Sequence, residues 1–181
     1  QGGSVSSFAK QSTNVNNNAY AGGAVGAGAN AVINTVVNSF ENNLLSYIDI
    51  DNTSLDGVST VSVAADSDEN LRNTNIGVSV AELGASIGSN TIVNYIENTT
   101  KAYIDAKGKS MNASGQVSVT ANDQVLVDNK LGLLAAGTEA VGASVNVNVI
   151  NNAVIAELLT AQDGQINAGN VEVLADSVIG M

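Results

Sequence analysis

The sequence predicts an all-β fold, a right-handed parallel β-helix, on three observations. Segments recur at a fixed spacing, side-chain character alternates with a period of two, and proline is absent. Fixed-period self-similarity marks a repeat architecture. Alternation marks strands rather than helices, and a chain without proline can donate to an uninterrupted ladder. Coils stacked at about 4.8 Å would place equivalent residues in columns, with Val, Ile and Ala filling a continuous core. The handedness follows from the right-handed crossover rule.

The repeats carry the argument. Val5-Ser6, Val61–Asp66 and Val117–Asn122 start at a constant interval of 56 (5 to 61, 61 to 117), and Val171–Asp176 follows after 54. Asn38 and Asn42 return as Asn94 and Asn98 at the same interval of 56, and as Asn148 and Asn152 after 54. Gly28-Ala29-Asn30-Ala31 matches Gly84-Ala85-Ser86-Ile87 at 56, and the third copy is read as Gly142-Ala143-Ser144-Val145 at 58. On that alignment the third unit loses about four residues between its Gly-Ala and Asn motifs. The units are a partial 1–18, then 19–74, 75–130 and 131–181, together one β-solenoid. Each unit is expected to supply two or three coils of roughly 18–28 residues.

Strands are expected over 61–65, 117–121 and 171–175, and over 45–50, 101–106 and 154–159. Val141, Ala143, Val145, Val147 and Val149 share one face of a strand; Gly142, Ser144, Asn146 and Asn148 share the other. Ile76, Val78 and Val80 alternate, then Leu83, Ala85 and Ile87 resume on the other parity, so a bend or bulge is expected at Ala81-Glu82. Polar loops are expected at 51–54, 66–70, 107–110 and 161–164.

Composition narrows the function classes. The apolar fraction is 44% with aromatics at 3%, so small and β-branched residues must form the core. The 18 glycines and 25 asparagines suit tight turns. A net charge of −11 leaves no basic footprint for nucleic acid or an anionic membrane. It serves instead to keep an apolar, edge-rich chain in solution. There is no cysteine, hence no disulfide or thiolate metal site. No stretch approaches the ~18 apolar residues of a membrane helix, and six aromatics are too few for the girdles of a membrane barrel. Because Val5-Ser6 already belongs to a repeat, the chain is expected to begin within an array and to be an excerpt of a longer protein.

The candidate sites are modest. Asn38/Asn42, Asn94/Asn98 and Asn148/Asn152 are read as a turn or corner whose amides satisfy backbone groups, against a ligand-facing polar ladder. Gly28, Gly84 and Gly142 are read as close backbone packing at a coil corner, since no phosphate-loop context accompanies them. Asp49 with Asp51, and Asp66 with Asp68 and Glu69, are possible Ca²⁺ ligands, but they do not recur as a set, and no metal or cofactor is expected. Tyr47, Tyr95 and Tyr103 are weighed as partner anchors against packing. Histidine is absent, which removes the commonest general base, so no enzyme is expected.

The strings VNYIENTTKAYIDAKGKSMNASGQVSVTAND and GASVNVNVINNAVIAELLTAQDGQINAGNVEVLADS resemble repeats of giant Gram-negative surface adhesins. These are filamentous, leukotoxin-like autotransporter adhesins of the fusobacterial kind. The resemblance rests on Gly84–Ile87, Asn98–Ile104 and Val117–Ala121 and covers nearly all of the chain; Glu157-Leu158 departs from it where Tyr-Ile is expected. It implies an extracellular passenger segment on the bacterial surface, reaching the membrane only through an anchor elsewhere in the parent chain. The implied partner is a host or bacterial surface protein or glycan. The resemblance carries over no catalytic or ligand residue. A β-helix carbohydrate-active enzyme (polysaccharide lyase or hydrolase) and a passive spacer are the alternatives.

Overall fold

Asparagine, valine and serine at two-residue spacing build strands far longer than the five or six residues usual in proteins. In the computed structural model, which describes residues 2–181, each coil of the chain is two long strands and a short one. The first coil is β1 (Ser4–Ala27), β2 (Asn30–Asp49) and β3 (Leu55–Val58). The second is β4 (Thr60–Leu83), β5 (Ala85–Asp105) and β6 (Ser110–Ala113). The third is β7 (Gln116–Ala136), β8 (Glu139–Leu159) and β9 (Gln165–Asn167), and β10 (Asn170–Gly180) starts a fourth.

The strands stack into three parallel sheets, β1-β4-β7-β10, β2-β5-β8 and β3-β6-β9. This is a right-handed parallel β-helix. Val5 pairs with Val61 and Val61 with Val117, while Val171 pairs with Val117 from above. One sequence repeat is therefore one coil. The expected two or three shorter coils per repeat do not form, because β1 and β4 each run on for 24 residues before Gly28 or Gly84 turns the chain back.

The same register corrects the third repeat. Val80 pairs with Ala136 and Ala85 with Glu139. Residues 81–84 are thus replaced by Gly137-Thr138, so two residues are lost, at the turn. Gly142 pairs with Gly88, not with Gly84. It lies within β8, where an added Cβ would come 2.9 Å from Leu133 Cδ2. The expected loop at 66–70 is the middle of β4. Its polar residues lie on both faces of a paired strand, and composition alone misplaces them. The parity change expected at Ala81-Glu82 belongs to the end of β4, just before the Gly84 turn.

The interior is banded along the strands. Beside the short sheet, Val61, Val63, Ala65, Ala102, Ile104, Val117 and Val119 form a dry apolar core. A second, smaller apolar cluster joins Leu71, Ile96, Val125 and Val127. Between and beyond these clusters the inward positions are mostly asparagine, serine and glycine, with Glu69 and Asp123 and a few isolated apolar residues such as Val36 and Ile92. In β8 the alternation is opposite to an apolar-in arrangement. Register places Ser144 on the buried Asn90 and Asn148 on the buried Asn94, so that the valines from Val141 to Val149 face outward. The expectation of a continuous Val/Ile/Ala core holds for part of each coil only.

Candidate functional site

The repeated asparagines sit inside the helix, mid-strand. Asn38, Asn94 and Asn148 stack as one column of the β2-β5-β8 sheet, and Asn42, Asn98 and Asn152 as another. They are not at a turn or corner, contrary to the sequence reading, and in the middle coil they point into the interior. Asn94 is fully buried and Asn98 nearly so.

Opposite the first column stand Asn17, Asn73 and Asn129 of the other long sheet. The two columns interlock. Asn38 donates to Asn94 at 2.7 Å and Asn94 to Asn148 at 2.7 Å along the axis. Across the gap, Asn17 donates to Asn38 at 2.5 Å, Asn38 to Asn73 at 2.9 Å, and Asn129 to Asn148 at 3.0 Å. Asn73 continues the opposite column by donating to Asn129 at 2.7 Å. A primary amide carries two donors and an acceptor with two lone pairs. Six of them at the coil spacing satisfy one another, which removes most of the penalty for burying a polar group. The second column was missed in sequence reading although its signal was present: Asn17, Asn73 and Asn129 recur at the same interval of 56.

Beside the second asparagine column lies a buried carboxylate pair. Glu69 is 1% exposed and Asp123 2%. Glu69 Oε1 accepts from Ser67 Oγ at 2.5 Å and Asn42 Nδ2 at 3.1 Å, while Oε2 has no hydrogen-bond partner among the described residues. Asp123 accepts from Asn152 Nδ2 at 2.5 Å and Thr100 Oγ1 at 3.4 Å. Burial pushes the Glu69 carboxyl up to about 7, against the Ser67 hydrogen bond and with help from the nearby Asp123. Burial raises Asp123 as well.

The suspected cation ligands do not converge. Register and burial put Glu69 inside and leave Asp68 exposed on the outer face, while Asp66 accepts from Asn122 at 2.8 Å. Asp49 and Asp51 instead both hold the ammonium of Lys107, at 3.0 and 2.6 Å. Asp51 first and Asp49 second keep that lysine above its ordinary range. Among the described residues no three acids lie close enough to share a metal ion.

The outer surface carries the remaining candidates. Tyr47 and Tyr103 stack with ring centroids 5.2 Å apart and planes 12° from parallel. Lys101 lies 5.2 Å over the Tyr103 ring and pairs with Glu157 at 2.7 Å. Tyr47 is about half exposed, so the stack is a surface feature and not core packing. Tyr95 also faces outward and donates to Glu97 at 3.0 Å. Gly28 and Gly84 form the turn between the long sheets, both with positive φ (109° and 134°). Compared with protein-family models, curated proteins and solved structures, the chain finds no match in any of the three.

Proposed function

We propose that the chain is a structural and adhesive segment of a bacterial cell-surface adhesin, a rigid rod that presents its outer faces to a host or bacterial protein or glycan. The observation that supports this most is the unbroken in-register pairing of the two long sheets through the coils. Stacked coils make a long, stiff, repetitive surface, which suits projection and multivalent contact better than catalysis at one point. The Tyr47–Tyr103 stack with Lys101 is the place where such a surface offers aromatic rings and a cation together. The resemblance of 98–104 and 117–121 to fusobacterial-type filamentous adhesins favours the same reading, and with it export to the cell surface.

The test is binding of the chain, displayed on beads, to a glycan array and to cultured epithelial cells. The adhesive reading expects binding above that of beads carrying a β-helix of unrelated sequence, and a loss of at least several-fold in Tyr47→Ala/Tyr103→Ala. Equal, background binding by both would assign the chain to the spacer reading. Release of reducing sugar from polysaccharides would favour the catalytic one.

A further inference from the structure

Three stretches with almost no charge, 17–40, 73–96 and 131–150, hold only Glu82 and Glu139 as charged residues. The coil register stacks them into a single lobe, the half of each coil farthest from the short sheet. Inside that lobe Asn, Ser and Gly predominate, with Val32, Val36 and Ile92 among them, while many of its larger apolar residues point out. Ile33 is 74% exposed, Val37 67% and Ile87 50%. On the β2-β5-β8 face these residues are in columns: Val37 on Val93 on Val147, and Ala31 on Ile87 on Val141.

We propose that this face is a side-to-side contact between copies of the same solenoid. Three observations favour a second copy over other occupants. The residues are largely β-branched and set on a sheet paired in register, and such faces pack on one another at about 10 Å. The face is bounded by the Glu41–Glu97 column on one side and Glu139 on the other, an apolar centre with a polar rim. Apart from Glu82 at the end of β4, the other acids lie outside the lobe, so copies that meet here keep most of their negative charge apart. A lipid interior is less well matched, because Thr35, Thr91 and Ser89 sit among the apolar residues.

The expected strength follows from area. Residues 31–39 span roughly 30 Å and a coil rises about 4.8 Å, so each coil contributes roughly 140 Å². Three coils give about half of the ~800 Å² per partner of a stable interface. Contact between chains of this length is therefore weak and reversible, and it grows with the number of coils in register.

Sedimentation velocity from about 20 µM to about 1 mM tests this, with circular dichroism to confirm folding. The wild-type mass should rise with concentration toward the dimer. Val37→Thr/Val93→Thr/Val147→Thr keeps β-branched residues and should weaken association about tenfold or more, whereas Ile76→Thr on the opposite sheet should leave it unchanged. A wild-type chain that stays monomeric at the top of that range overturns the proposal. So does association that the triple variant leaves intact, which would place the contact at open strand edges. Monomeric chain that co-sediments with phosphatidylcholine vesicles would overturn it in favour of lipid.

Discussion

Glu69 is the residue where the interior is most sensitive to its surroundings. Its carboxyl titrates near 4.5 when unfolded and about 7 when folded. The folded state therefore holds a proton that the unfolded state has released between those values. Stability from this group is fully present below about pH 4.5 and declines as pH rises to about 7, by on the order of 2–3 kcal/mol. The raised Asp123 acts in the same direction. Urea unfolding at pH 5 and pH 8 should give the larger free energy at pH 5, and Glu69→Gln should flatten the difference and stabilise the chain at pH 8. Equal stability of the wild type at both pH values would contradict this. Asn94 makes the complementary case. It accepts from Asn38 and Asn73 and donates to Asn129 and Asn148. Asn94→Ala strands four partners and should cost about 2–4 kcal/mol, read as a shift in the denaturation midpoint. A change below ~1 kcal/mol would show that the ladder tolerates gaps.

At the scale of elements, the turn between the long strands is the least forgiving point. Gly84 has φ +134° and an added Cβ would lie 2.0 Å from the Gly28 carbonyl oxygen. Gly28 has φ +109° with open space around its Cβ position. Gly84→Ala combines strain with a backbone clash, so it should lower stability by about 3 kcal/mol or more, and Gly28→Ala by about 1–2 kcal/mol. Chemical denaturation of the two variants checks the order, and Gly28→Ala as the more damaging one would reject it. The elements were partly legible beforehand. Period-2 patterning announced strands at Val61–Ala65 and Val141–Val149, and the fixed repeat spacing gave the register of Asn38 on Asn94. Which face of 141–149 turned inward was not legible, because alternation separates two faces without saying which is buried. The usual preference for valine inside yields here to amides that satisfy each other at the coil spacing. Residues 66–70 read as a loop for the same reason: charged and polar residues enter a central strand when Asn42 and Ser67 meet the buried carboxylate.

For the whole molecule, stability belongs to the stack. A parallel pair cannot close on itself locally; β4 meets β1 and β7 only across a full coil. The ladder pairings of the long sheets join residues a whole repeat apart, so folding depends on long-range pairing and should be slow for the chain's size. The candidate sites were legible only as repeats. Gly28, Gly84 and the asparagine positions were recognisable by spacing, but Gly142 was aligned to the wrong column because two residues are missing at the Gly137-Thr138 turn. The surface stack of Tyr47 and Tyr103 showed in sequence as equivalence, not as exposure.

Paramagnetic relaxation separates one coil per repeat from any shorter winding. A nitroxide at Ser62→Cys, the only cysteine in the chain, sits between Ser6 and Ser118 in adjacent coils. The amide signals of Ser6 and Ser118 should be broadened, and those of Asn34 and Asn90, at the far end of the long sheets, should stay sharp. Broadening at Asn34 and Asn90 would contradict one coil per repeat, and unaffected signals at Ser6 and Ser118 would contradict the stack itself.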